Sequence, residues 1–118
     1  MKPLHKFGQV ISQDLRDAAL NRFLDLVAGK LNSPDASKLS SELNKMTDEQ
    51  KSVVKQIVNE CIDSGIHDLL FELETEKNDI KVIVDGTNIA DDSDGLNGEI
   101  YSEDGWFERF SVHKEKGL

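Results

Sequence analysis

The sequence predicts an α+β fold, a mainly helical bundle followed by a small C-terminal β-hairpin. Apolar residues recur every three or four positions through the first two thirds of the chain, the spacing of helices that bury one face. The pattern then changes to a β-branched run, IKVIV at 80–84, which leads into Asp85-Gly86, a strong hairpin signal. The length of 118 residues predicts a single domain, helical over 4–76, with a hairpin and loop region at 80–112 and a frayed tail at 113–118.

The first helical pattern runs from residue 4 to residue 31 and contains two weak points. Gly8 weakens its start, and the polar run SQDLRD at 12–17 is a place where the helix can break in two. Asn-Ser-Pro at 32–34 stops the pattern. Asp35 is expected to cap the short helix that follows.

The segment CIDSGIHDLLFELE at 61–74 contains a cysteine, a histidine and aspartates, which are residue types of catalytic and metal sites. We expect it instead to be the joint between two helices. The sequence TDEQ at 47–50 is a capping box that opens the helix before it. Gly65 is expected to end that helix in the left-handed conformation, with a new helix after it. Cys61 shares the register of apolar neighbours and is expected to be a buried, inert thiol. His67 is expected to pack at the joint, and its distance from Cys61 in sequence fits no zinc signature.

The C-terminal part contains the returning strand, a polar loop and an ambiguous aromatic segment. Residues 87–90 are predicted to form the second strand, and residues 91–99 a loop rich in turn-forming residues. Residues 102–112 fit two structures. An acidic start and the aromatic spacing favour a short helix, which we expect, whereas Trp106, Phe110 and Val112 also fit one face of a strand.

The net charge of −9 is concentrated in the C-terminal half. Residues 1–60 carry a net charge of +1 and residues 61–118 carry −10. An acidic half disfavours binding to nucleic acid and to anionic membranes, whereas a basic protein partner is compatible with it. A homo-oligomer is also compatible with the sequence. One cysteine allows no internal disulfide, and no signal peptide or membrane span is present, so we expect a cytoplasmic protein.

The sequence offers no catalytic signature, so we predict no catalytic residues, no cofactor and no metal site. The loop at 91–99, which we call the acidic loop, aligns with a calcium-binding loop when Gly95 takes the turn position. Asp92 and Asp94 then fall on ligand positions, but Ala90 and Tyr101 occupy the first and last positions, where carboxylates are required. If a small ligand or cation binds at all, the candidate ligand-binding residues are His67, Asp91, Asp92, Asp94 and Trp106.

The motifs SGIHDLLFELE and IKVIVDGTNI resemble a small family of uncharacterised bacterial proteins, which pair a GIHD helix start with a C-terminal β segment. The resemblance covers about residues 47–90. It implies a bacterial cytosolic origin and one compact domain. No activity is established for that family, so the resemblance implies no functional residues.

Two functions from different classes follow from these observations. The first is a non-enzymatic interaction or regulatory protein that presents an acidic face to a basic partner. The second is a small-ligand or cation-binding protein, or an enzyme, with a site near residues 91–107 and His67 beside it. A concave apolar pocket with convergent polar groups would favour the second function.

Overall fold

The computed structural model describes residues 1–75 and 79–118 of the chain. Within these residues the fold is α+β, as predicted from the sequence. The helices are α1 (Pro3–Val10), α2 (Ala18–Val27), α3 (Pro34–Asn44), α4 (Asp48–Glu74) and α5 (Trp106–Phe110), and the strands are β1 (Ile83–Val84) and β2 (Thr87–Asn88).

The β-hairpin forms around the predicted Asp85-Gly86 turn. Its strands are antiparallel and pair Ile83 with Asn88. Asp85 and Gly86 both have positive φ, 51° and 80°, which is the geometry of the tight turns that favour Asp-Gly. The returning strand is shorter than the predicted 87–90, because the Asn88 side chain accepts a hydrogen bond from the Ala90 amide and starts a 3₁₀ turn, Ile89–Asp92.

The first helical pattern forms one rod, in which α1 and α2 are joined by a π-helical segment, Ile11–Asp17. The polar run at 12–17 therefore widens the helix instead of breaking it. The rod ends earlier than predicted, because Gly29 adopts a φ of 70° just beyond α2. Gly8 is buried in α1, where it gives the Trp106 indole room to lie against the helix backbone.

The caps of α3 and α4 are set by local sequence. Ser33, rather than the predicted Asp35, caps α3 by accepting a hydrogen bond from the Ala36 amide at 3.1 Å. The predicted capping box of α4 is confirmed. Thr47 Oγ1 accepts from the Gln50 amide at 3.1 Å, and Gln50 Oε1 accepts from the Thr47 amide at 2.9 Å.

The prediction that Gly65 ends a helix was wrong. Helix α4 continues without interruption from Asp48 to Glu74, and Gly65 lies inside it. The misleading signal is a change of apolar face. At 3.6 residues per turn, Ile57 and Ile66 lie on roughly opposite sides of the helix. A shift of the apolar stripe around one continuous helix resembles the end of one helix and the start of another. The expected helical region ended at residue 76, which lies outside the described residues.

The prediction that Cys61 is buried was also wrong, because its side chain is exposed. Cys61 shares the face of Val53 and Ile57, and each of these two residues is 54% exposed. This face of α4 points away from the core. The buried face belongs to the second half of the helix, where Ile66 and Leu70 are 3% and 0% exposed.

The core lies where the N-terminal rod, the second half of α4 and the C-terminal segment meet. The short helix expected within 102–112 is confirmed as α5, and its first two residues are fully buried. The buried apolar residues of this core are Leu4, Ile11, Ile66, Leu70, Ile89, Leu96, Ile100, Trp106 and Phe107.

Residues 113–118 were expected to fray, but they pack against the helices. The amide of Leu118 donates to Asn59 Oδ1 at 3.1 Å, and Gly117 is buried against the same side chain. Gly117 has a φ of 75°, which lets the chain turn towards α4. This contact joins the C-terminal segment to the middle of the longest helix.

Candidate interaction surface

Tyr101 and His67 form the centre of the candidate surface. His67 lies in the second half of α4, and Tyr101 follows a 3₁₀ turn, Leu96–Ile100, that packs on that helix. The Tyr101 hydroxyl lies 3.0 Å from Nδ1 of His67, and the two ring centroids are 6.0 Å apart. The side chain of Tyr101 is 44% exposed. The pair therefore presents an aromatic ring and a polar edge to solvent.

Three carboxylates of α4 act electrostatically on this aromatic pair. Burial raises the pKa of the Tyr101 phenol, and the negative charges of Asp63, Glu60 and Asp68 raise it further. The three carboxylates therefore add to one negative potential at the hydroxyl. Helical spacing explains why these side chains lie on one side of α4, because residues 60, 63, 64, 67 and 68 are three or four apart.

The acidic loop is a separate feature of the surface. The side chains of Asp91, Asp92 and Asp94 are exposed. Within the described residues, none of the three carboxylates forms a hydrogen bond or an ion pair, with His67 or with any other residue. The structure therefore does not bring the loop aspartates and His67 into contact.

Other polar groups fix the shape of the loop. Ser93 donates to Glu99 at 2.8 Å and accepts from the Gly95 amide. Glu74 at the end of α4 accepts from the Leu96 amide at 2.6 Å. These hydrogen bonds hold the loop without its aspartates, whose carboxylates face solvent.

Trp106, the fifth predicted ligand-binding residue, belongs to the core. Its side chain is fully buried, and its indole Nε1 donates to Nδ1 of His5 at 3.3 Å. Phe7 packs edge-on against the indole with a centroid separation of 6.1 Å. Trp106 consequently offers no ring face to a ligand at the surface.

Two further features bear on function. Within residues 1–75 and 79–118, no group of three or more histidine, cysteine or acidic side chains is placed to hold a metal ion. Among the helices of the same residues, none is both long enough and apolar enough to span a bilayer.

A buried charged cluster that was not predicted from the sequence lies beside the candidate surface. The guanidinium of Arg16 is fully buried and holds Asp63 through Nε and Nη2. It also donates to the hydroxyl of Ser111 and to the backbone carbonyls of Lys114 and Glu115. All five N–H donors of the arginine are thereby used.

The neighbouring Asp17 completes this cluster. It accepts from the Ser111 hydroxyl and, at 2.9 Å, from the Val112 amide. The π-helical segment directs both Arg16 and Asp17 towards the C-terminal segment. Only the polar run at 12–17 hinted at this arrangement, and its partners lie as much as 99 residues away in sequence.

Comparison with known proteins agrees with the resemblance found in the sequence and extends it. No curated protein and no solved structure matches the chain significantly. Residues 10–106 match a family described as a family of unknown function (DUF6547). The match spans α4, the hairpin, the acidic loop and the start of α5, and so includes both His67 and Tyr101. The chain belongs to this family, for which no function is known.

Proposed function

We propose that this protein is a non-enzymatic interaction protein, whose acidic face around Tyr101 binds a basic segment of a partner protein. The observation that carries the proposal is that helical spacing places Glu60, Asp63 and Asp68 on the side of α4 where His67 contacts the half-exposed Tyr101. We call this set of five residues the Tyr101 face.

The chemistry of the Tyr101 face suits arginine and lysine side chains. Carboxylates attract the cationic head groups, and the phenol ring offers a surface on which a guanidinium can stack. The charge of −10 in residues 61–118 extends this attraction beyond contact distance, which accelerates the encounter with a basic partner. We further propose a bacterial cytoplasmic setting, in line with the resemblance and the lone cysteine.

The proposal is tested with a fluorescein-labelled peptide of alternating arginine, glycine and serine, measured by fluorescence anisotropy against the full chain. We expect binding that weakens steeply as salt is added, because the attraction between exposed charges is screened. The double substitution Glu60→Gln/Asp68→Asn should weaken binding several-fold, since each lost contact between exposed charges contributes about 0.2–1 kcal/mol.

The matched control removes the same number of charges from the acidic loop, with Asp91→Asn/Asp92→Asn. If the Tyr101 face is the site, this control should weaken binding much less. Equal weakening by both double variants would mean that the peptide responds only to net charge, and the proposed site would then be rejected.

A further inference from the structure

A line of apolar side chains winds along α4, beginning on the face that turns away from the core. Val53 and Ile57 are each 54% exposed, Leu69 is 46% exposed, and Cys61 is also exposed. These residues lie four positions apart, with Gly65 between Cys61 and Leu69, and so form one ridge along the helix. An exposed apolar line on a chain of net charge −9 needs a physical reason.

Three adjoining hollows follow this ridge. The first, of about 470 Å³, lies between Met46 and Val54 and includes Val53. The second, of about 350 Å³, runs from Val53 to Cys61. The third, of about 280 Å³, continues from Cys61 to Leu69 and is closed on its far side by Leu15 and Ala19 of the N-terminal rod. Neighbouring hollows share a lining residue, Val53 for the first two and Cys61 for the last two, and we call the row of three hollows the α4 groove.

The charges of the α4 groove indicate what can occupy it. Among the described residues that line its three hollows, the charged side chains are Glu49 and Glu60, and no lysine or arginine is present. A second copy of the chain, placed groove against groove, would bring these glutamates towards identical glutamates. Like charges at close range oppose association, so the groove favours a basic occupant over a second copy.

Glu60 also connects the α4 groove to the Tyr101 face. It lines the middle hollow and is one of the three carboxylates that raise the pKa of Tyr101. The apolar line and the acidic face therefore meet on one helix, within a single contiguous surface.

The shape of the groove suits a helix. A ridge of residues four apart packs into the corresponding groove of another helix. Gly65 leaves a gap in the ridge, because no atom lies within 4 Å of the position that a Cβ would occupy there. A large apolar side chain of the occupant fits this gap. The lining residues within α4, from Glu49 to Leu69, span roughly 30 Å at 1.5 Å per residue, enough for several helical turns.

We propose that the α4 groove binds an amphipathic helix of a partner protein, whose apolar stripe lies along Val53, Ile57 and Cys61 and whose flanks carry lysine or arginine. This inference rests on the proposed function, because the basic flanks of the helix are the groups that reach Glu60 and the rest of the Tyr101 face. It adds the partner's secondary structure and the apolar contacts that an unstructured basic peptide would lack.

Three synthetic peptides of about 18 residues, roughly five helical turns, test the proposal against the full chain. The first contains leucine and lysine with the leucines on one helical face. The second has the same composition with the leucines scattered, and the third keeps the leucine stripe but replaces lysine by glutamate. Anisotropy should show the first peptide binding about tenfold more tightly than the second, and no binding of the third. The first peptide should also slow maleimide labelling of Cys61.

The variant Val53→Gln/Ile57→Gln should reduce the affinity of the striped peptide to that of the scattered one. Both positions are more than half exposed and glutamine is a good helix former, so α4 is retained. Leu39→Gln on α3 is the matched control, because Leu39 is equally exposed at 54% but lines none of the three hollows. Gly65→Leu, which fills the gap in the ridge, is a second and independent variant and should also weaken the striped peptide.

The outcomes separate the two proposals. If the striped and scattered peptides bind equally and the groove variants change nothing, the helix inference is overturned. If Glu60→Gln/Asp68→Asn still weakens the binding of both peptides in that case, the Tyr101 face is retained as the binding site and only the groove is rejected. If sedimentation shows that the wild type dimerises and that Val53→Gln/Ile57→Gln is a monomer, the occupant is a second copy and the inference is likewise overturned.

Discussion

Arg16 holds Asp63 through two hydrogen bonds, from Nε to Oδ1 at 2.7 Å and from Nη2 to Oδ2 at 3.1 Å. The side chain of Arg16 has no exposed surface, whereas that of Asp63 is 27% exposed. The guanidinium also lies over the Phe107 ring, 4.1 Å from its centroid. One arginine thus connects the N-terminal rod, α4 and the C-terminal segment.

Replacing Arg16 by methionine should destabilise the protein by about 3 kcal/mol, because it leaves the partners of a buried charge without their donor. Denaturant unfolding measures the loss. Arg22→Met, at an exposed position on α2, is the control and should stay within about 0.5 kcal/mol of the wild type. Hydrogen exchange should also show faster opening of residues 111–118 in the Arg16 variant. A variant that keeps wild-type stability and slow exchange would show that the cluster does not hold the C-terminal segment.

Features with a local physical cause could be predicted from the sequence. The capping box at Thr47 needs only a residue three positions away, and the Asp85-Gly86 turn needs only its own backbone preferences. The Arg16 cluster could not be predicted, because its partners are 47 to 99 residues distant in sequence. The sequence shows that Arg16 is charged, but only the folded chain brings its partners next to it.

The errors at Gly65 and Cys61 both arose from the apolar stripe of α4, which shifts around the helix along its length. Apolar spacing shows that a helix has an apolar face, but it does not show whether another element covers that face. In the second half of α4 the stripe meets the core, whereas in the first half Val53 and Ile57 lie on another side of the helix and are exposed. The candidate surface could not be predicted either. Tyr101 reaches the side of α4 that carries the three carboxylates only because the 3₁₀ turn before it packs on that helix.

Two glycines in helices are expected to respond to alanine with opposite signs. Gly65→Ala should stabilise the protein by about 0.5–1 kcal/mol, since alanine is the better helix former and the position is open. Gly8→Ala should instead destabilise it by about 1–3 kcal/mol, because the new methyl group would overlap the Trp106 indole. Denaturant unfolding followed by the fluorescence of the single tryptophan measures both. Stabilisation by both substitutions would contradict the close packing of Trp106 on α1.

Cys61 should react with a maleimide in the native protein at nearly the rate seen in denaturant, because its side chain is exposed. Mass spectrometry after short exposures gives the two rates. Cys61→Ser is the control for labelling at other groups, because the chain has one cysteine. Protection that disappears only on unfolding would instead place Cys61 inside an interface or in the core.

The raised pKa of Tyr101 should make the free energy of unfolding depend on pH in the alkaline range. Burial and the charges of Asp63, Glu60 and Asp68 raise the pKa of its phenol above the ordinary value of about 10. As pH rises above about 10, the unfolded chain releases this proton while the folded chain still holds it. The free energy of unfolding should therefore fall over that range, whereas below about pH 10 this phenol should contribute no pH dependence.

The absorbance of the phenolate gives the titration directly, because Tyr101 is the only tyrosine in the chain. We expect its midpoint in the folded protein to lie above that of the urea-unfolded protein. Asp68→Asn and Glu60→Gln should each move the folded midpoint down, since each removes a negative charge that opposes ionisation. Asp91→Asn, in the exposed loop, is the matched control and should move it less. Equal midpoints in the folded and unfolded chains would mean that the carboxylates of α4 do not converge on Tyr101, and the acidic face would lose its centre.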